Sequence, residues 1–278
     1  MLFRSVAVVV IVGALVVGVP VVDCAVGRSG AAAVTATATF TARVPDPGPN
    51  QTFGPWGTAN LLNGAVRAGR MWTVIYGPSS AHKADFYRPD PATVPVGGSP
   101  VIVFLHGGGW VIGNRANIEY GATSGPIVQM LRDGWTVISA DYRLANATTP
   151  SPAQIRDVRR LVKWLKWHAG AYGLNPKKIF LSGHSAGAQL ALLAGTSCRV
   201  VTTTTTCVAE FEPTGTEAWI TSVNARVRGV VALAPATDLR ALADATTYPA
   251  LSQNIVSYLG CSLATVACRT KEIGRAHV

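Results

Sequence analysis

The sequence predicts an α/β fold built on a doubly wound, mostly parallel sheet. Continuous apolar runs such as Pro100–Leu105 and Ile179–Leu181 are typical of parallel strands that helices cover on both faces. Between them stands Ser151–Ala169, whose apolar residues recur at helical spacing. Strands that alternate with helices indicate this class. The 278 residues, 49% of them hydrophobic, are enough for one large domain with its own core.

The predicted elements follow one another from Met71 onwards. Strands are expected over Met71–Tyr76, Ala84–Tyr87, Pro100–Leu105, Trp135–Ala140, the run that ends at Leu181, and Val227–Leu233. Helices are expected around Ile127–Leu131, over Ser151–Ala169 and over Ala188–Ala194. In the second helix Ser151 is a good N-cap and Pro152 fits the first helical position. Residues 198–225 are predicted to form an irregular insertion.

Residues 1–27 have the features of a secretory signal peptide. Arg4 supplies a positive start, Val6–Val22 is an apolar run, and Ala25-Val26-Gly27 offers small residues for cleavage. The run is also marginal for a membrane span, and Cys24 leaves a lipoprotein as a minority alternative. We expect a cleaved leader, a secreted or cell-envelope protein, and no stable membrane span after cleavage.

The boundaries of the linker, the domain and the tail are inferred from the amino-acid sequence. Residues 28–55 are rich in Ala, Thr and Pro and predict a linker. Residues 56–271 are predicted to form one partial α/β domain. The tail Glu272–Val278 can be back-translated to GAGATCGGAAGAGCACACGTC, the start of a common sequencing adapter. We therefore expect 272–278 to be non-native, the genuine frame to continue past Lys271, and the domain to lack its C-terminal strands and helices. An uncovered sheet edge would follow.

The cysteines fit an exported protein, because export places thiols in an oxidising compartment. Besides Cys24 the chain has Cys198, Cys207, Cys261 and Cys268. Four cysteines allow three pairings, of which the two local ones, Cys198–Cys207 and Cys261–Cys268, are favoured over free thiols. The spacing of histidines, cysteines and carboxylates predicts no metal site.

The net charge of +10 does not indicate a nucleic-acid partner. Most Lys and Arg residues are scattered, and no basic stripe with interleaved aromatics is present. One group is predicted to form the solvated face of the helix Ser151–Ala169: Arg156, Arg159, Arg160, Lys163 and Lys166.

Two glycine motifs carry the chemistry. The first is Gly183-His184-Ser185-Ala186-Gly187, in which an apolar strand runs through Gly-x-Ser-x-Gly into a helix. A serine on such a strand-to-helix turn has an exposed hydroxyl, and the glycines leave room for elements that pack closely. The second is His106-Gly107-Gly108-Gly109-Trp110, after the strand Pro100–Leu105. This pattern is typical of a loop that turns backbone N–H groups onto an oxyanion.

With Asp141-Tyr142-Arg143 and Ala234–Leu239, these motifs resemble the α/β-hydrolase superfamily. The resemblance covers roughly 75–271 and is strongest to secreted bacterial carboxylesterases related to hormone-sensitive lipase and to feruloyl esterases. It implies hydrolysis of small-molecule carboxylic esters through an acyl-enzyme, with no metal or organic cofactor. His184 departs from the hormone-sensitive-lipase branch, where Asp is usual. The elbow also resembles that of aryl-formamide hydrolases, which leaves a small amide as an alternative substrate.

The same resemblance assigns roles to individual residues. Ser185 is the nucleophile, the N–H groups of Ala186, Gly108 and Gly109 form the oxyanion hole, and Gly107 shapes the loop.

Further residues are expected to support this site. His106 is expected to fix the loop by hydrogen bonding. Trp110 is expected either to line the pocket or to belong to the core. Asp141 and Arg143 are expected to pair and brace the loop, with a solvated pair as the alternative.

This assignment lacks a clear catalytic base. A serine nucleophile needs a histidine, which follows it in the chain in this fold. Of the five histidines, only His277 follows Ser185, and it lies in the predicted non-native tail. Asp238 is a candidate acid, with a helix N-cap as the alternative. A non-catalytic binding protein on a hydrolase scaffold is therefore the alternative function.

Overall fold

The computed structural model describes residues 7–11, 71–119, 124–201, 204–244 and 246–262. The strands are β1 (Ala7–Ile11), β2 (Met71–Ile75), β3 (Lys83–Tyr87), β4 (Ser99–Leu105), β5 (Thr136–Ala140), β6 (Leu174–His184), β7 (Cys198–Val201), β8 (Thr204–Cys207) and β9 (Gly229–Leu233). The helices are α1 (Ser124–Arg132), α2 (Ala153–Trp167), α3 (Ala186–Thr196), α4 (Ala218–Ser222), α5 (Leu239–Leu242) and α6 (Pro249–Leu259).

The main sheet has the strand order β1-β9-β6-β4-β5-β3-β2. Neighbours from β1 to β5 in this order are parallel, and β3 pairs antiparallel with both β5 and β2. One face of β4, which carries Val103, packs in the larger core with α2 and α3. The other face, which carries Ile102, packs with Ile127 and Leu131 of α1. Helices on both faces confirm the predicted doubly wound, mostly parallel sheet.

The start of α2 differs from the prediction. The helix begins at Ala153, and Pro152 rather than Ser151 is its N-cap, without a side-chain capping bond. The backbone N–H of Ser151 instead donates to the carbonyl oxygen of Tyr258 at 2.6 Å. A contact with a distant helix has therefore replaced the local cap.

The segment 198–225 is more regular than predicted. It opens with the antiparallel hairpin β7–β8, in which Cys198 and Cys207 lie opposite each other and form the predicted disulfide. Helix α4 follows. Cys261 is also disulfide-bonded, whereas Cys24 and Cys268 lie outside the described residues, so the Cys261–Cys268 pairing stays a prediction.

The predicted solvated face of α2 is wrong for three of its five cations. Arg159, Arg160 and Lys163 are buried. The insertion covers them: Glu212 pairs with both Arg159 and Lys163, and Glu217 pairs with Arg160. The charge pattern alone could not reveal this, because the covering carboxylates lie about fifty residues away in the sequence.

In the full chain the sheet edge at β9 is covered by residues of the predicted leader, so the expected open edge would form only when that leader is cleaved. Strand β1 pairs with β9 in parallel, from Ala7 opposite Gly229 to Ile11 opposite Leu233. Apart from 7–11, the predicted leader, the linker 28–55 and the tail 272–278 lie outside the described residues. Their boundaries stay predictions. No helix in the described part of the chain is long and apolar enough to span a bilayer.

Candidate active site

Ser185 occupies a sharp turn between β6, which ends at His184, and α3, which begins at Ala186. Its φ of 53° is in a region that residues other than glycine seldom adopt. The backbone N–H donates to the carbonyl oxygen of Leu233 at 2.9 Å and holds the turn against β9. In the described part of the chain, no group makes a hydrogen bond to the half-buried Ser185 hydroxyl.

The two flanking glycines are required by close approach. A Cβ on Gly183 would lie 2.4 Å from the carbonyl oxygen of Gly187. A Cβ on Gly187 would lie 2.1 Å from the carbonyl oxygen of Leu105 and 2.5 Å from that of His106. The first turn of α3 therefore packs directly on the end of β4, and this contact brings the two motifs together.

The loop Gly107–Gly109 lies beside the serine. A Cβ on Gly107 would lie 3.4 Å from the Cβ of Ser185. Gly108 and Gly109 have φ values of 111° and 57°, which favour glycine. Ala186 is the first residue of α3, where backbone N–H groups have no partner within the helix and carry partial positive charge. The structure thus places Gly107 and the start of α3 beside Ser185.

His106 holds the start of this loop. Its Nδ1–H donates to the carbonyl oxygen of Gly107 at 2.8 Å, and its ring stacks on Tyr142 at 4.3 Å. The Tyr142 hydroxyl donates to the His106 carbonyl oxygen at 2.9 Å. Burial lowers the pKa of His106, which favours the neutral imidazole. These contacts suit a loop-bracing residue, and Tyr142 is a partner that the sequence analysis missed.

Trp110 lies in the core rather than at a pocket wall. Its side chain is fully buried and stacks on Tyr258 of α6 at 4.3 Å. Its Nε1–H donates to Oε1 of Gln189 in α3 at 3.2 Å. Trp110 thus ties the glycine loop to both helices. The apolar residues of 249–259 recur at helical spacing and could have predicted α6, but no local signal indicates its place on the loop.

The expected pairing of Asp141 with Arg143 is wrong, because each side chain has a different partner. Asp141 accepts two hydrogen bonds from Arg115, one from its backbone N–H and one from Nη1, both at 2.6 Å. Arg143 instead pairs with Asp157 of α2, at 2.7 Å between Nη2 and Oδ1. Arg115 also pairs with Asp85 of β3 at 2.9 Å, so Asp141 braces the sheet through Arg115.

The Arg143–Asp157 pair belongs to a buried network with His82. His82 Nε2 lies 2.9 Å from Oδ1 of Asp157, and its Nδ1 accepts the Ser79 backbone N–H at 3.1 Å. Burial alone would raise the pKa of Asp157, but the hydrogen bonds from His82 and Arg143 outweigh it and lower the pKa. His82 is therefore a satisfied structural histidine and not a free base.

Asp238 caps a helix. Its exposed carboxylate accepts the backbone N–H groups of Arg240 and Ala241 at the start of α5, at 3.1 and 3.0 Å. This is the N-cap geometry that the sequence left open as the alternative to a catalytic acid.

The histidines give no base for Ser185 in the described residues. His168 Nδ1 bonds to the Trp164 carbonyl oxygen at 2.9 Å. His184 is exposed beside the glycine loop, with Nδ1 3.0 Å from the position of a Cβ on Gly107. His277 lies outside the described residues. The proton acceptor that a serine nucleophile needs is therefore not identified among these side chains.

A cavity of about 510 Å³ borders both motifs. Gly107, Gly183 and His184 contribute to its wall, and Phe104 and Leu233 form part of its apolar lining. The volume lies in the range of small-molecule sites. Among the described residues, the cluster with metal-ligand spacing is Cys198, Cys207 and Glu212, but its two sulfurs form the disulfide and are not free ligands.

Solved structures resemble this fold. The chain matches a bifunctional GH43-CE protein of Bacteroides eggerthii with a TM-score of 0.54 and 22% identity, over 69% of this chain and 26% of that one. It matches esterase 2 of Thermogutta terrifontis, phosphonylated by sarin, with a TM-score of 0.50 and 19% identity, over 68% and 63% of the two chains. At such identities the likeness shows the fold alone.

Curated relatives are esterases. Esterase LipC of Mycobacterium tuberculosis is 35% identical over 123 residues, which are 44% of this chain and 28% of that protein. A probable isoprenylcysteine alpha-carbonyl methylesterase, ICME, of Oryza sativa subsp. japonica is 33% identical over 48% of this chain and 32% of its own length. The chain spans about a third or less of these relatives.

The family comparison is broader. The sequence profile of the BD-FAE family matches residues 84–273, which are more than half of the chain and include both glycine motifs. With the doubly wound sheet and the esterase relatives, this match shows that the chain belongs to the BD-FAE family of α/β-hydrolase esterases.

Proposed function

We propose that this chain carries the nucleophile and the oxyanion hole of a serine carboxylesterase that works through an acyl-enzyme. The observation that carries the proposal is the turn at Ser185, whose positive φ presents the hydroxyl between a strand and a helix N-terminus. The contact of Gly107 with Ser185 adds the loop that such a reaction needs.

The proposed reaction has two steps. Ser185 Oγ forms a bond to the ester carbonyl carbon, and the carbonyl electron pair moves to oxygen. The N–H groups of Ala186, Gly108 and Gly109 stabilise that oxyanion, each worth about 10²–10³ in rate in comparable sites. Collapse expels the alcohol, which carries away the serine proton. Water then attacks the acyl-serine, releases the carboxylic acid and restores Ser185.

The proton transfer needs a base that the described contacts do not supply. A serine hydrolase without its base keeps only the residual rate that the oxyanion hole and substrate binding provide. For the same reason, a non-catalytic binding protein on a hydrolase scaffold is the second candidate. The specific observation in its favour is that no described histidine bonds to Ser185.

An ethyl fluorophosphonate probe tests the proposal. In the proposed esterase, Ser185 Oγ displaces fluoride from phosphorus, and intact-mass and peptide analysis find one adduct on Ser185. The Ser185→Ala variant, shown to be folded by circular dichroism, gains no adduct. A folded wild-type chain that acquires no adduct during prolonged incubation would refute the nucleophile and leave the binding protein.

We also propose that the protein is exported to the cell envelope or the medium. The predicted leader supports this, and the Cys198–Cys207 disulfide suits an oxidising compartment. Sequencing the N-terminus of the protein recovered from the medium of an expressing bacterium would test the leader. Recovery of the protein only from the cytosol would contradict export.

A further inference from the structure

Helix α2 ends in a cation that the insertion does not neutralise. Arg159, Arg160 and Lys163 all pair with carboxylates of the insertion. Lys166 follows Lys163 by one turn of the helix, and its Nζ donates to Oδ1 of Asn224 at 2.8 Å. Among the described residues no carboxylate pairs with Lys166. The end of α2 therefore carries a half-buried positive charge without a counter-charge in this part of the chain.

Arg226 brings a second unpaired cation to the same place. Its backbone N–H donates to the same Oδ1 of Asn224 at 3.1 Å, so one carboxamide holds Lys166 and the backbone of Arg226 together. Within the described residues, Nε of Arg226 is buried without a hydrogen-bond partner, and no carboxylate pairs with the guanidinium. Burial, together with the charges of Arg226 and Lys163, lowers the pKa of Lys166 to about 8. An anion between Lys166 and Arg226 would relieve this repulsion.

Further cations lie near the amino ends of β6 and β9. The backbone N–H of Arg228 donates to the carbonyl oxygen of Ile179 at 2.7 Å, which places Arg228 beside β6. Lys177 and Lys178, just before Ile179, are exposed, as is Arg228. In the part of the chain that the structure describes, none of these three cations makes an ion pair. The positive surface is separate from the proposed active site, because Ser185 follows the opposite end of β6.

We propose that Lys166 and Arg226 form a binding site for a phosphate group. Ammonium and guanidinium groups bind phosphate through charge-assisted hydrogen bonds. A phosphate group carries close to two negative charges at neutral pH and several acceptor oxygens, so it can neutralise both cations, whereas a carboxylate has a single charge. The buried Nε of Arg226 gains the acceptor that it lacks, which favours binding. Ser185 takes no part, so the inference is independent of the proposed function.

Isothermal titration calorimetry with inorganic phosphate tests the site on the full chain, at pH 7 in a chloride buffer of low ionic strength. The wild-type chain binds phosphate. Lys166→Gln and Arg226→Gln each weaken the binding about tenfold, as expected for the loss of a charge-assisted hydrogen bond. Arg132→Gln is the matched control, because it removes an exposed cation of α1 on the other face of the sheet, and it keeps the wild-type dissociation constant.

Protection of the Lys166 amine tests the same site without any substitution, so the test holds even if a variant does not fold. Limited reductive methylation followed by peptide mass spectrometry measures the modification of each lysine. Phosphate at about ten times its dissociation constant slows the methylation of Lys166 roughly tenfold. The methylation of Lys83, in β3 at the other side of the sheet, does not change.

Three results would overturn the proposal: no phosphate binding to the wild-type chain, an equal loss of binding in Arg132→Gln, or methylation of Lys166 that phosphate does not slow. Sedimentation with phosphatidylglycerol vesicles then distinguishes the sources of the phosphate group. Sedimentation of the wild type but not of Arg226→Gln supports a lipid headgroup. Phosphate binding without sedimentation supports a small phosphorylated ligand at the same two side chains.

Discussion

The close contact of Gly187 with the end of β4 predicts that a larger residue at position 187 strongly destabilises the fold. In a Gly187→Ala variant the new Cβ would lie 2.1 Å from the Leu105 carbonyl oxygen and 2.5 Å from that of His106. Both obstacles are backbone atoms, so no side-chain rotation relieves the clash. Leu105 lies in the middle of the sheet, with β4 paired on both sides, so β4 cannot move alone.

The expected loss is at the upper end of the range for overpacking, about 3 kcal/mol of unfolding free energy. For a protein of this size it corresponds to a melting temperature lower by roughly 6–12 °C. Urea unfolding followed by circular dichroism measures the free energy. Because His106 starts the glycine loop, the fluorophosphonate reaction of Ser185 should slow as well.

The control for this variant is Gly170→Ala. A Cβ on Gly170 meets nothing within 4 Å, and its φ is not in the left-handed region. We expect this variant to be neutral or more stable by about 0.5 kcal/mol, since alanine restricts the unfolded chain. If Gly187→Ala unfolds within 1 kcal/mol of the wild type, the packing argument for the second glycine of the motif is refuted.

Two further predictions concern strain and pH. Ser185→Gly should be about 1 kcal/mol more stable than Ser185→Ala in urea unfolding, because only glycine relieves the backbone strain at φ 53°; equal stability of the two variants would contradict this. The pKa of Asp157 is lowered in the folded state, so the unfolded chain binds its proton more readily. The contribution of Asp157, measured as the difference in unfolding free energy between the wild type and Asp157→Asn, should therefore be constant near neutrality and fall as the pH drops below about 4. At pH 7 the variant should be about 3 kcal/mol less stable than the wild type. Parallel pH profiles of the two unfolding free energies would refute the role of the network.

The parts of the fold that the sequence predicts are those with local causes. The positions of the strands in the chain, the turn at Ser185 and the glycine loop that follows β4 depend on apolar runs and on glycines at fixed spacing. A residue pattern reports such features because the physical requirement lies within a few positions of the residue itself.

The parts that could not be predicted depend on contacts between distant segments. Arg143 and Asp141 are only two residues apart in the sequence, which suggests an ion pair between them. In the structure each side chain instead bonds to a residue from another segment of the chain. The place of α6 on the glycine loop likewise follows from the stacking of Trp110 on Tyr258, far apart in the chain. Single-sequence patterns contain no record of such pairings.

The ion pairs beneath the insertion constrain how the protein can change by mutation. Glu212 serves Arg159 and Lys163 together, so replacing this one carboxylate would leave two buried cations without their charge partner. Surface insertions usually tolerate changes in length and sequence. Here substitutions in the insertion and in α2 have to occur as matched sets, and a shortened insertion is tolerated only when the arginines and the lysine beneath it are replaced by apolar residues.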